Sequence, residues 1–226
     1  MSDLTPELLL SAYAIGIFPM ADDRDDPTIQ WIDPHHRGIV PLDRFHVPRS
    51  LKKVIRQQRF EIHANRAFEE VITACAECRV DRPKTWLNDE LIHLYCELHE
   101  RGYAHSVECW IGNRLVGGAY GLSLGGAFFG ESMFSRERDA SKVALIDLIE
   151  RLNRGGYQLL DTQFVTDHLK RFGAIEIPRE AYHQRLNAAL QIDAIFYCDE
   201  GEIVSSAPWP LKDALTGSSQ STTQTS

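Results

Sequence analysis

HSVECWIGNRLVGGAYGLSLGGAFFGESMF, residues 105–134, decides the fold. His105–Trp110, Arg114–Leu122 and Ala127–Phe134 read as strands, and Gly112-Asn113 and Gly125-Gly126 between them are hairpin signals. Three such runs in a row predict an antiparallel meander. Helical patterns surround it. Upstream, Asn88 opens a helix with Leu91, Leu94, Tyr95 and Leu98 as its apolar stripe and Gly102 as its stop. Downstream, Asp139 stands where a helix cap is expected, ahead of Val143, Ile146 and Ile149 and the closing Gly155-Gly156. Tyr157–Val165 reads as a further strand, and Pro178 precedes a helix reaching about Leu190.

Nearer the start, Thr5-Pro6-Glu7 sets a cap, a proline at the first helical position and an acid in the first turn, and Gly16 ends that helix. Ala21–Pro34 is acidic and reads as a loop. Arg66–Arg79 carries Phe68, Val71, Ile72 and Cys75 at helical spacing. These elements predict an α+β (mixed α/β) chain with one mostly antiparallel sheet. A boundary is expected near Arg37–Pro41, giving a small domain at 1–38, a larger one at 39–215 and a disordered Ser/Thr/Gln/Gly-rich tail at 216–226.

Composition narrows the function. The 226 residues are 43% hydrophobic and 25% charged, ordinary for a globular chain. No apolar run reaches the roughly 20 residues of a membrane helix, and the start has neither the basic nor the apolar part of a signal peptide. A cytoplasmic protein, a monomer without membrane, metal or cofactor, is expected. Cys75-x-x-Cys78 has no second ligand pair at zinc spacing, so it reads as part of a helix face rather than a metal site. A net charge of −8 disfavours generic nucleic-acid affinity, yet Arg49, Lys52, Lys53, Arg56 and Arg59 follow one another without an acid. If Ser50 caps a helix there, Leu51, Val54 and Ile55 face the core, and Lys52, Arg56 and Arg59 share the outer face.

Few residues offer chemistry. On a strand Asp161 and Gln163 project together, away from Leu160, Thr162 and Phe164. The carboxylate could orient the amide NH2 and leave the amide oxygen to accept a hydrogen bond from an attacking amine; two ordinary polar residues on an exposed face would read the same way. Glu131, among Phe128, Phe129, Met133 and Phe134, is either at a strand end facing water or buried and partnered. Alternation sets Glu131 and Met133 on one face. His105 and His168 are potential bases, but no nucleophile motif accompanies them. The glycines match no dinucleotide or P-loop pattern. Trp31, Trp86 and Trp110 could stack a base or simply pack.

Gly118-Ala119-Tyr120-Gly121, Phe128-Phe129-Gly130-Glu131-Ser132-Met133-Phe134-Ser135 and Ala140-Ser141-Lys142 resemble the leucyl/phenylalanyl-tRNA–protein transferases. So do Tyr13 with Gly16-Ile17-Phe18-Pro19, Thr85-Trp86, His105-Ser106-Val107-Glu108, Asp161-x-Gln163, Asp167-His168 and Gly173-Ala174-Ile175-Glu176-Ile177-Pro178-Arg179.

The resemblance implies a small N-terminal domain and a larger GNAT-like one. It implies an aminoacyltransferase that moves Leu or Phe from leucyl-tRNA or phenylalanyl-tRNA to proteins beginning with Arg or Lys, marking them for N-end-rule degradation. By motif, Asp161 and Gln163 are the catalytic pair and Glu131 lies at the donor site. Phe128, Met133, Leu145 and Leu160 line the donor side-chain pocket, Trp86 packs at the terminal adenosine, and the Arg49–Arg59 stretch grips the acceptor stem. Met20 stands where the family often has an aromatic residue, and Ala119 where better-known members have a Met. Glu131, Glu108 and Asp167 are candidates to read the acceptor's cation. Two alternatives stay open: a tRNA-binding protein without catalysis, and an acyl-CoA-dependent N-acyltransferase, for which a Gly-rich pyrophosphate loop is missing.

Overall fold

A computed structural model describes residues 4–24, 26, 28–78, 84–198 and 203–205. The 216–226 tail lies outside the described residues. Helix α1 (Pro6–Ala14) starts as its sequence implies, the Thr5 hydroxyl accepting from the Leu8 N–H at 3.2 Å. Strands β1 (Phe18–Met20) and β2 (Gln30–Ile32) pair as a short ribbon, so the acidic segment expected to be a loop contains a strand. Then come β3 (His36–Val40), α2 (Arg49–Arg56), β4 (Glu61–Ala64), α3 (Phe68–Ala76) and α4 (Asp89–Glu100). The Asn88 side chain accepts from the Leu91 N–H at 2.9 Å and caps α4 as expected.

The meander follows as β5 (Ala104–Ile111), β6 (Arg114–Leu124) and β7 (Ala127–Ser135). After it come α5 (Ala140–Arg154), β8 (Leu159–Gln163), α6 (Asp167–Lys170), β9 (Ile175–Pro178), α7 (Arg179–Ala189), β10 (Ile195–Tyr197) and β11 (Ile203–Ser205). Seven strands form the main sheet in the order β4-β5-β6-β7-β8-β3-β9. Every pair in it is antiparallel except β7 with β8, and the parallel joint is reached through α5, as a parallel crossover requires. Two apolar clusters cover the sheet. One is built from α1, α3, α4 and α7, the other from α5 with Leu51 of α2. The architecture is the expected mixed α+β with a mostly antiparallel sheet.

Strand β3, where the sequence places its domain boundary, lies between β8 and β9 in the large sheet. Two details depart from the sequence reading. Helix α2 begins at Arg49 behind Pro48, without a side-chain cap, so Ser50 is already inside it. Leu51 is buried but Ile55 is 38% exposed, so the core covers only part of the apolar face. Asp139 precedes α5 with a left-handed backbone (φ 70°) and caps no N–H; its carboxylate pairs with Lys142 at 2.5 Å instead. Among the described residues no helix is long and apolar enough to cross a membrane.

Candidate active site

A cavity of about 360 Å³ opens where β6, β7 and β8 meet the β1 strand and the start of α6. Met133, Leu145, Leu148, Leu160 and Leu169 form apolar wall, Glu131, Ser132, Thr162 and Gln163 polar wall, and Met20 and Trp86 also border it. Its form follows from a β-bulge. Tyr120 pairs with Ser132 and Gly121 with Gly130, which leaves Glu131 as an extra residue in β7. Gly121 is required here, since a Cβ would stand 2.2 Å from the Phe129 carbonyl oxygen.

The bulge reverses the face parity expected for β7. Glu131 now bonds to Tyr13 and Tyr95, on the side of α1 and α4, whereas Met133 packs with the α5 cluster. The two do not share a face, although both line the cavity. Tyr13 donates to Glu131 Oε1 at 2.7 Å, Tyr95 to Oε2 at 3.2 Å, and the two hydroxyls lie 2.5 Å apart. Burial pushes the Glu131 carboxyl up to about 8; the Tyr13 and Tyr95 hydrogen bonds oppose that shift and the nearby Asp161 charge adds to it. Burial likewise raises both phenols well above their usual range, so they remain donors.

Asp161 and Gln163 are adjacent, but not in the way alternation implied. Gln163 has φ +56°, which breaks the strand at its last residue. Its backbone N–H donates to Asp161 Oδ1 at 2.8 Å, while its side-chain amide reaches Glu131 Oε1 at 3.4 Å. Thr162 and Leu160, expected to point the other way, line the cavity together with Gln163, and Asp161 does not. Asp161 is wholly buried and engaged elsewhere. Arg37 Nε and Nη2 fork onto its carboxylate at 2.9 and 2.6 Å, and Tyr182 donates to Oδ2 at 2.8 Å. Arg37 is 1% exposed, donates from Nη1 to the Gly16 carbonyl at 2.9 Å, and lies 4.5 Å from the ring centres of both Phe18 and Tyr182. The carboxylate expected to orient the Gln163 amide therefore holds the backbone, and Glu131 takes the place beside the amide.

A family model described as leucyl/phenylalanyl-tRNA protein transferase matches residues 39–187, and one for the N-terminal domain of the same transferase matches 2–35. The chain belongs to this transferase family. It is 58% identical over 196 residues to the leucyl/phenylalanyl-tRNA–protein transferase of Paramagnetospirillum magneticum, covering 87% of this chain and 94% of that one. It is 54% identical over 222 residues to that of Maricaulis maris, covering 97% of each. Among solved structures, that of L-PGS from Bacillus licheniformis is similar only loosely, at a TM-score of 0.39 and 14% identity over 72% of this chain and 54% of that one.

The remaining residues singled out by their likeness to the leucyl/phenylalanyl-tRNA–protein transferases divide in three. Ala119, Met133, Leu145, Leu160, Trp86 and Met20 all border the cavity. Phe128 does not. It is fully buried behind the wall against Tyr157 and Phe196, because even-numbered β7 residues before the bulge face the α5 core. Arg49, Lys52, Lys53 and Arg56 are exposed on α2. Arg59 lies beyond the helix, after Gln58 at φ +47°, and pairs with Glu137 at 2.8 Å, so it does not share the outer face of Lys52 and Arg56.

The other acids and histidines also separate. Glu108 is wholly buried and accepts from the Arg66 and Ala67 N–H groups and from Ser106, which makes it the cap of α3 rather than a reader of cations. Asp167 is exposed and pairs with Lys170. His105 stacks on Phe196 away from the cavity, and burial brings it down to about 3. His168 lines the cavity, lowered first by burial and then by Lys142 and Arg171. Trp110 is buried under Arg66, while Trp31 is 38% exposed. Patterning passed over Arg37, Tyr95 and Tyr182 as site residues. Arg37 gave no signal, since the strand that carries it is five residues long and its partners are distant in the chain.

Proposed function

We propose that this chain transfers Leu or Phe from aminoacyl-tRNA to the α-amino group of proteins beginning with Arg or Lys, forming a peptide bond that marks them for N-end-rule degradation. The observation carrying this reading is one cavity in which Gln163 and half-buried Glu131 stand beside Met133, Leu145, Leu148 and Leu160. The apolar wall suits the donor side chain. Trp86 and Met20 border the same cavity and would meet the terminal adenosine. The acceptor amine attacks the ester carbonyl, the new C–N bond forms, and the C–O bond to the ribose 3′-oxygen breaks. The amine's proton leaves as that oxygen takes one up.

Gln163 is the group we assign to the attacking amine. Its NH2 is held toward Glu131, which leaves its carbonyl oxygen to accept from the amine. Asp161 acts one step back, with Arg37 and Tyr182, by fixing the strained Gln163 backbone. Holding two large substrates in register supplies much of the acceleration through effective concentration. Radiolabelled phenylalanyl-tRNA with an Arg-starting peptide tests the reading: labelled peptide is expected. Binding of the tRNA without any labelled peptide would leave a non-catalytic tRNA-binding protein in its place.

Two further outcomes are expected. Ala119 pairs across from Met133, so Ala119→Met adds bulk inside the donor pocket. The ratio of phenylalanine to leucine transfer should fall about tenfold, the usual effect of a methylene or two in an apolar pocket; an unchanged ratio would remove Ala119 from the pocket. Charge reversal of Lys52, Lys53 and Arg56 should weaken tRNA binding and flatten its salt dependence by roughly 0.7–0.9 in slope per lost phosphate contact. Identical salt titrations for variant and wild type would rule α2 out.

A further inference from the structure

The start of α6 is part of the cavity wall, since Thr166, His168 and Leu169 all line it. The helix lasts four residues, and its exit continues onto the segment that leads into α2. Phe45 stacks on Phe172 with ring centres 6.0 Å apart, and the His46 N–H donates to the Phe172 carbonyl at 3.3 Å. Leu169, Phe172 and Leu51 belong to one apolar cluster. The exit of α6, which helps to wall the cavity, and the segment leading into α2 therefore lie side by side over one core.

That surface is cationic. Lys142 stands near His168, and Arg171 acts on the same imidazole. Lys170 is 62% exposed and Arg171 is exposed beside it. Arg44, 85% exposed, follows on the adjoining segment, and Arg49, Lys52, Lys53 and Arg56 complete the band on α2. Among the described residues, Asp139, Asp167 and Asp43 each already face one of these cations, Lys142, Lys170 and Arg44 respectively. On a chain with a net charge of −8, such a band is a local exception.

We infer that Lys142, Lys170, Arg171 and Arg44 form a phosphate track that guides the sugar–phosphate strand of the donor's 3′ end out of the cavity toward α2. This rests on the transferase reading of the cavity. Cations spaced along a strand bind phosphates mainly by releasing counterions, so the track supplies affinity and register without reading sequence. Such a track would let an acidic protein hold RNA along one side.

The test compares Arg171→Glu, Lys170→Glu and their combination with Arg185→Glu, which lies on the exposed face of α7 and equals either single variant in charge change. Phenylalanyl-tRNA binding is titrated against salt for each. The combined track variant should raise Kd about tenfold or more at low salt and lower the salt slope by about 1.4, two single-strand phosphate contacts at roughly 0.7 each. Arg185→Glu should stay close to wild type. The neutral pair Lys170→Gln and Arg171→Gln should show the same slope change without added repulsion, and thermal melts confirm that these exposed sites leave the fold intact. In transfer assays the loss with intact tRNA should exceed the loss with 3′-phenylalanyl-adenosine, which has no phosphates to follow the track, by tenfold or more.

Track variants that titrate like Arg185→Glu overturn the proposal. Equal losses with both donors also overturn it, because the damage would then lie in the cavity. A wild type that binds phenylalanyl-tRNA but labels no peptide strikes the transferase reading alone, since the salt slopes still judge the track.

Discussion

An Arg37→Met variant is expected to lose about 3–5 kcal/mol of folding stability, because it strands the buried Asp161 carboxylate without its counter-ion. For a chain of this size that lowers the melting temperature by on the order of 10 °C. Asp161→Asn alone should be comparably harmful, leaving Arg37 as the unpaired charge. The combined Arg37→Met, Asp161→Asn chain should recover a large part of the loss, since neither charge then remains buried and alone. Arg37→Lys should fall between, because an ammonium cannot reproduce the two-pronged contact to Asp161 and the third bond to Gly16. Thermal or urea melts of the four chains decide the matter: strictly additive losses would sink the pairing. In the variants that still fold, kcat should fall more than KM rises, because the damage reaches the substrates only through the aim of Gln163.

The second large effect concerns Glu131. Its carboxyl is pushed up to about 8 in the fold, against an ordinary value near 4.5 in the unfolded chain. The folded state therefore holds a proton that the unfolded state has released between these two values. Stability is full below about pH 4.5 and declines as pH rises through about 8, by roughly a few kcal/mol in total. Glu131→Gln should flatten that decline. Activity should move as well, since the ionised carboxylate is the better anchor for the Gln163 NH2. With both Glu131 and the acceptor α-amine needing to lose a proton, log kcat/KM should rise with a slope near 2 below pH 8. In Glu131→Gln the slope should drop to about 1 and the rate by about 10²-fold, the size of a positioned acid–base group. A slope of 1 in both chains would remove Glu131's ionisation from the reaction.

Local signals carried much of this architecture. The hairpin glycines at 112 and 125–126 announced the meander, and Thr5 and Asn88 announced two helices through their own hydrogen bonds. Strands β3, β4 and β9 went unread because each has five residues or fewer and takes its partners from distant parts of the chain. The same distance hid Arg37, whose partner lies 124 positions away and whose burial no periodicity could signal. The error over Glu131 and Met133 has a different source. Alternation assumes an unbroken ladder, and one extra residue opposite Tyr120 and Gly121 exchanges the two faces beyond it.

By itself, then, the sequence determined the meander, the helices with their own caps, the family through its GESMFS and Asp161-x-Gln163 runs, and the basic run that becomes α2. These depend on neighbours a few positions apart, where spacing and hydrogen bonding act directly. Only the tertiary structure decided who holds whom in the site: Arg37 and Tyr182 on Asp161, Tyr13 and Tyr95 on Glu131, and Glu131 rather than Asp161 beside the Gln163 amide. A buried charge is tolerable only when the fold brings it a partner, and which partner arrives is set by strand order and one bulge, neither of which is a property of the local chain.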